Sequence, residues 1–376
     1  MFERIITFSV RNRLLVLIGV IGLIAWGVNA LRTLPIDAVP DITNNQVQVV
    51  TVSPALAPQE VERLITMPVE LTMASIPGIH EMRSISRFGL SVVTIVFEDD
   101  VDVYWARAQV DQRLVEVAGE IPQGAGTPLL APVTTGLGEI YQYTLRVKPG
   151  FENTYTLADL RTIQDWIIRR RLLGTPGIAD VSSFGGDLRQ VEIAVDPDRL
   201  RSMNLSIADL LSAVERNNAN AGGAYIEKGP NVRYIRTEGV ATTPEDVAAI
   251  EVHRTDAGLP IFVRDVATVR DGRAVRYGAM TRDDHGEAVG GIVLMLKGAN
   301  SSDVIATVKK RIEEVQRTLP EGVVIEPYLD RTRLVNKAIG TVVQNLTEGA
   351  LIVIFVLVLM LGNMRAGLIV ASVIPL

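Results

Sequence analysis

Apolar residues along the chain recur with distinct periods, and each period predicts an element. Leu14 to Leu31 runs for 18 residues without a charge. It shows no polar face, so it predicts a helix hydrophobic all round, about 27 Å long at 1.5 Å per residue and close to the thickness of a bilayer core. Ala338 to Leu361 is a second, mostly apolar stretch of 24 residues, wholly apolar from Leu351 onward. Between them the pattern is that of a globular chain. Gln46 to Val52 reads as a strand, Gln59 to Ala74 as a helix interrupted by Pro68, and Glu81 to Glu98 as two strands turning near Gly89. Val103 to Gly119 is predicted helical, with Val103, Ala106, Val110, Leu114 and Val117 on one face, and the residues after Gly124 can supply a last strand.

Two marks in this region recur. Pro77-Gly78-Ile79 returns 99 positions on as Pro176-Gly177-Ile178, and Ile121-Pro122-Gln123-Gly124 returns 198 positions on as Leu319-Pro320-Glu321-Gly322. The second copy is therefore 99 residues longer between its marks. Within it Tyr141, Tyr143, Leu145 and Val147 alternate with Gln142, Thr144 and Arg146, a half-buried strand. A helix from Leu157 to Leu173, strands at Ala179 to Phe184 and Val289 to Leu296, a helix from Val304 to Leu319 and a strand from Val323 to Tyr328 follow. Both copies read βαββαβ once 187–284 is set aside as an insertion. The expected fold class is thus an α+β membrane protein of two ferredoxin-like units, the second carrying an inserted domain, flanked by transmembrane helices. The insertion has a strand signal at Val191, Ile193 and Val195, a helix from Ile207 to Asn217, and a polar Gly-rich stretch from Ala221 to Gly239 that is either a projecting hairpin or an ordinary surface excursion.

Charge sets the orientation. Arg4, Arg11 and Arg13 precede the first apolar helix and Arg365 follows the second, which predicts both of these ends in the cytoplasm and Arg32 to Lys337 outside. A secretory signal peptide cleaved near Val28-Asn29-Ala30 is the rival reading. Gly367 to Leu376 begins a third apolar run of ten residues, about 15 Å, and the chain is expected to be a fragment. With 43 acidic against 37 basic residues and a net charge of −6, no basic field for nucleic acid is present. The absence of Cys excludes disulfides, thiolate metal sites and cysteine nucleophiles. No phosphate-binding glycine loop or hydrolase constellation occurs, so an enzyme is not expected.

The stretches Leu34-Pro35-Ile36-Asp37-Ala38-Val39-Pro40-Asp41-Ile42, Tyr104-Trp105-Ala106-Arg107, Thr135-Gly136-Leu137-Gly138-Glu139-Ile140-Tyr141, Gln164-Asp165-Trp166, Tyr328-Leu329-Asp330-Arg331-Thr332 and Leu361-Gly362-Asn363-Met364-Arg365 together carry a resemblance. The chain resembles the N-terminal third of a resistance-nodulation-cell division (RND) efflux pump of the heavy-metal, cobalt-zinc-cadmium type. The resemblance implies a homotrimeric inner-membrane protein, driven by proton influx, whose periplasmic porter subdomains pass substrate through an adaptor protein to an outer-membrane channel. It implies a cytoplasmic stub and first transmembrane helix at 1–36, a first porter subdomain at 37–134, a second at 135–186 and 285–332, a docking domain at 187–284, a second transmembrane helix at 333–362 and the start of a third at 363–376. No cofactor is implied; the cargo is a heavy-metal cation, with Zn, Co or Cd favoured. A drug exporter or a protein-translocation accessory of the same superfamily, and a two-helix receptor with a periplasmic ligand-binding domain, are the alternatives.

Without Cys or clustered Met or His, carboxylates remain as metal donors. Glu139 opens the alternating strand after Gly136-Leu137-Gly138, and Asp165 lies beside Trp166 on the following helix. In divalent-metal pumps that the chain resembles, acidic residues at these motif positions face the substrate cleft. The plainer reading makes Glu139 a strand-edge charge and pairs Asp165 with Arg161 or Arg169. Asp283, Asp284 and His285, with Glu287, are weaker metal candidates in what reads as a charged turn about Gly286. Asp102 is expected to cap the helix at Val103. Glu348 is the one acid in the second apolar stretch and reads as interfacial, while the family's proton-relay acids would lie beyond Leu376.

Overall fold

The computed structural model describes residues 2–33, 41–229, 231–237, 239–255, 258–284, 286–362 and 365. His285, the motif residues 34–40, Asn363 and Met364, and the run 366–376 lie outside the described residues. The chain starts with helices α1 (Phe2–Arg11) and α2 (Arg13–Thr33), separated by Asn12. The first sheet unit follows: β1 (Gln46–Val52), α3 (Pro58–Val61), a π-helical turn (Glu62–Thr66), α4 (Met67–Met73), β2 (Ile79–Arg87), β3 (Leu90–Phe97), α5 (Val103–Ala118) and β4 (Pro128–Leu130).

Pro68 does not end the helix in this unit. A proline removes one amide donor and crowds the preceding turn. The helix accommodates it by widening: the Met67 amide donates to the carbonyl of Glu62, five residues back, and Pro68 then falls in the first turn of α4, where its missing donor costs little. Asp102 caps α5, its Oδ1 accepting from the Trp105 amide at 2.8 Å. The strands lie in the order β2-β3-β1-β4, all antiparallel. Val47, Val49, Val93 and Ile95 point from one face of this sheet into a core closed by Ile65, Val69 and Met73 and by Val110 and Val117.

The second unit opens with β5 (Glu139–Val147), α6 (Leu157–Ile163), a second π-helical turn (Gln164–Ile168), α7 (Arg169–Leu172) and β6 (Ile178–Phe184). The chain then builds a separate body: β7 (Arg189–Val195), α8 (Pro197–Ser202), α9 (Ile207–Asn217), β8 (Ala221–Lys228), β9 (Asn231–Thr237), α10 (Pro244–Ala248), β10 (Glu251–Arg254), β11 (Pro260–Phe262), α11 (Val263–Val266) and β12 (Ala267–Arg273). Strands β7 and β12 pair antiparallel along their whole length, and Leu200, Leu210, Ala213, Ile250, Val263 and Val266 are part of a core of their own. The Gly-rich stretch forms the β8–β9 hairpin.

The chain returns through β13 (Val289–Met295), α12 (Ser301–Gln316), β14 (Val323–Asp330) and α13 (Thr332–Leu361). The second sheet has the order β14-β5-β13-β6, so its first strand lies beside its third and its fourth lies outside its first, the connectivity of the first sheet. The α+β content read from the sequence is what the chain adopts. The two units touch where the Lys297 amide donates to the Val133 carbonyl at 3.2 Å.

Only Arg331 separates β14 from α13. Its amide donates to Ile140 and its guanidinium to the Leu137 carbonyl, while Asp330 is held by Lys309 of α12 at 2.5 Å and accepts from the Thr332 amide at 3.0 Å. Both α2 and α13 are long and apolar enough to cross a membrane, and their apolar windows, Arg13–Ala30 and Thr332–Met360, are not buried within the chain.

Candidate functional site

The helix layer of the second unit starts from a reciprocal cap. The Thr156 hydroxyl accepts from the Asp159 amide, and the Asp159 carboxylate accepts from the Thr156 amide and hydroxyl, which holds that carboxyl below its ordinary value. At Gln164 the helix widens, and the Arg169 amide donates to the Gln164 carbonyl. Gln164 faces inward and is fully buried, yet both ends of its amide are partnered: Oε1 accepts from the Tyr143 hydroxyl at 3.1 Å and Nε2 donates to Ser183 Oγ at 3.3 Å. Burial pushes the Tyr143 phenol far above its ordinary value, so it stays a donor at every physiological pH. Its neighbour Tyr141 is pushed up to about 12 by burial and then by the charge of Asp330.

Asp165, one residue on, stands at the rim of an open cleft of about 510 Å³. Of the two partners that helical spacing offers, it takes Arg161, whose Nε lies 2.8 Å from Oδ2 and whose Nη1 donates to the Gly185 carbonyl. Arg169 turns instead to β6, with Nη2 at 3.0 Å from Asp180 and Nε donating to the Val181 carbonyl. Arg170 stacks on Trp166, 3.9 Å from the ring centroid. Three guanidiniums thus meet two carboxylates in this cleft, and a cation reaching Asp165 would first displace Arg161.

Glu139 opens β5 and is exposed. Its Oε2 accepts a hydrogen bond from Gln142 Nε2 at 2.7 Å. Burial, and after it the Glu139 charge, raises the Tyr328 phenol above its ordinary value. No hydrogen bond or cavity joins Glu139 to Asp165 among the described residues. Nor do any three His, Asp or Glu side chains among the described residues stand where they would hold one metal ion together.

Of the weaker candidates, Asp283 and Asp284 lie in a turn closed by the Thr281–Glu287 bridge. Asp283 takes a φ of +50°, in the left-handed region that Asp tolerates, with its side chain 70% exposed and Arg282 Nε at 3.5 Å. Asp284 is exposed beside it. The organising side chain here is one that sequence reasoning missed: Arg282 bonds Glu326 at 3.2 Å and the Thr144 hydroxyl, walling a cleft of about 440 Å³. A second missed residue is Asp187, buried at the root of the inserted body between Arg273 at 2.8 Å and Arg276 at 3.2 Å. The adjoining pair Gly185-Gly186 was its one sequence signal, since both take positive φ and a Cβ on Gly186 would lie 2.6 Å from Val289. On α13, Glu348 accepts from Gln344 at 2.9 Å.

Two sheets of one connectivity, a body inserted in the second and a long apolar helix at each end define the architecture that the comparisons then place. The model of the AcrB/AcrD/AcrF family matches residues 5–376, and the chain belongs to that family of RND transporters. It is 45% identical to the cation efflux system protein CzcA of Alcaligenes sp. (strain CT14) over its whole length, which covers 36% of that protein. It is 38% identical to the cation efflux system protein CusA of Escherichia coli (strain K12), again over all of this chain and 36% of the relative. Among solved structures, a heavy metal efflux pump in crystal form II superposes with a TM-score of 0.87 at 35% identity, covering 99% of this chain and 36% of that one. The chain therefore spans about a third of the length of the relatives it matches.

Proposed function

We propose that the chain is the N-terminal part of an inner-membrane, proton-driven RND transporter that exports divalent heavy-metal cations such as zinc, cobalt or cadmium. The observation that carries this reading is its similarity along its entire length to cation efflux proteins, at up to 45% identity in a chain without a single Cys. Oxygen donors suit borderline divalent ions better than the soft monovalent ones. On this reading α2 and α13 cross the membrane. The two βαββαβ units are ferredoxin-like porter subdomains facing the periplasm, and the body between β6 and β13 is a docking domain that engages a neighbouring subunit of a homotrimer. An adaptor protein and an outer-membrane channel complete the path.

Glu139 is the better of the two proposed cargo ligands, being exposed and held by one neutral amide, whereas Asp165 is already neutralised by Arg161. Both would act with donors from the rest of the transporter. The test expresses the complete transporter in metal-sensitive cells and compares Glu139→Ala and Asp165→Ala with the parent. Reduced zinc or cobalt resistance at unchanged membrane abundance is the expected result. Resistance equal to the parent in both variants moves the cargo site elsewhere, and resistance to organic drugs in place of metals overturns the cargo.

A further inference from the structure

Helix α1 is left without a role by the reading above. In the sequence Phe2, Ile5, Ile6, Ser9 and Val10 recur at helical spacing, while Glu3, Arg4, Thr7 and Arg11 fill the opposite arc. This is a short amphipathic helix directly ahead of an apolar one. Val10, on the edge of this arc, is 58% exposed, so the chain itself does not cover it.

Length decides where α1 must be. Resting on the proposal that α2 spans the membrane, its 21 residues measure about 31 Å, which the hydrocarbon core of about 30 Å uses up entirely. Arg13 then marks the boundary, and its Nε is turned back to the Val10 carbonyl. Asn12 alone separates α1 from that boundary, and its side-chain amide bonds the Phe8 carbonyl at 3.2 Å. Ten residues, about 15 Å of helix, therefore start one residue from the headgroups with an apolar arc that water would otherwise wet.

Charge names the occupant of that arc's surroundings. Arg4, Arg11 and Arg13 stand against the single acid Glu3, and Arg11 and Arg13 are exposed. We infer that α1 is an interfacial anchor that lies on the cytoplasmic leaflet, its apolar arc among the acyl chains and its arginines on anionic lipid phosphates. Such binding combines buried apolar area with attraction to anionic headgroups.

The chain has no Cys, so single-cysteine spin labels report without background. The full 376-residue chain would be reconstituted into vesicles of phosphatidylcholine with and without phosphatidylglycerol. Labels on Ser9→Cys, Thr7→Cys and, within α2, Gly22→Cys would be read for collision with oxygen and with a water-soluble nickel chelate. A Cβ at Gly22 meets nothing within 4 Å. The expected result is a lipid-like label at 9 and an aqueous one at 7, the contrast growing several-fold with phosphatidylglycerol and losing that gain in Arg11→Glu. Aqueous labels at both 7 and 9 beside a lipid-buried label at 22 overturn the anchor and leave the membrane reading standing. A label at 9 shielded from both probes means that protein covers the arc, which also overturns it. An aqueous label at 22 overturns the membrane reading and the anchor together.

Discussion

Asp187 closes the root of the inserted body, and its replacement by Ala gives the sharpest test of how that root is fixed. Its carboxylate is 3% exposed and bridges Arg273 and Arg276, the two arginines at the end of β12 and just beyond it, so one side chain ties the outgoing strand of the insertion to the returning one. A charge pair at about 3 Å has a Coulomb ceiling of about 5 kcal/mol at an effective dielectric of 20. Exposure reduces this. Arg273 is 62% exposed, and pairs of that kind contribute at most about 1 kcal/mol. Arg276 is 33% exposed and keeps Glu287 at 2.9 Å after the substitution, so its loss is about 1–3 kcal/mol, in the range of a charge-assisted hydrogen bond.

The sum is about 1–4 kcal/mol, or roughly a 5- to 1,000-fold rise in the population of an opened root. Because the pairs bind β7 to β12 and not β5 to β13, the opening is local. Amide hydrogen exchange read by mass spectrometry on the full chain in detergent should show faster exchange in β7 and β12 with β5 and β13 unchanged. Asp187→Asn, which keeps the acceptor oxygen and loses the charge, should fall between parent and Ala. Unchanged exchange in β7 and β12 would refute the reasoning, and so would equal acceleration in β13, because Asp187 would then support the whole unit and not its root.

Two further outcomes follow from packing and from charge. Gly291→Ala places a Cβ 2.5 Å from the Tyr143 ring and 2.7 Å from Gln164 Nε2, which overpacks the buried amide network; a cost of about 1–3 kcal/mol is expected, read as a lower thermal midpoint of the chain in detergent, and an unchanged midpoint means the network yields freely. Burial raises the Asp330 carboxyl, but the bonds from Lys309 and Thr332 outweigh it and hold the group below its ordinary value of 3.8. The stability it contributes is therefore complete above that value and lost as the pH falls through the lower folded one. Asp330→Asn should lower the thermal midpoint at neutral pH, and the gap to the parent should close on acidification. A gap that widens in acid reverses the sign of the argument.

The sheets were legible because their cores are periodic. Val47 and Val49 on β1 and Tyr141, Tyr143 and Leu145 on β5 carry the alternation that a half-buried strand needs, and the repeated Pro-Gly-Ile and Pro-x-Gly marks fix helix-to-strand turns at Gly78, Gly177 and Gly322, all with positive φ. Pro68 misled only locally: it reads as an interruption, whereas the π-helical turn carries the helix through it. The second π-helical turn has no proline to announce it. It exists because Gln164 finds Tyr143 on β5 and Ser183 on β6, partners that no window of sequence brings together.

The same difference separates the two candidate ligands. Spacing offered Asp165 two arginines and left the choice open, and what decided it was Arg169's attraction to Asp180 and the Val181 carbonyl across the sheet. Pairings such as Arg276 with Asp187, 89 residues apart, are set wholly by the fold. A carboxylate in a sequence is an unassigned charge, and the fold determines whether a guanidinium already occupies it. Asp165 and Asp187 are occupied from within the chain, while among the described residues Glu139 holds only the Gln142 amide. A cation competing for Glu139 displaces a neutral amide, and one competing for Asp165 displaces a charge-assisted pair. The first exchange is the easier by the difference between those two bonds, which places Glu139 ahead as the residue from which a shared metal site would be built.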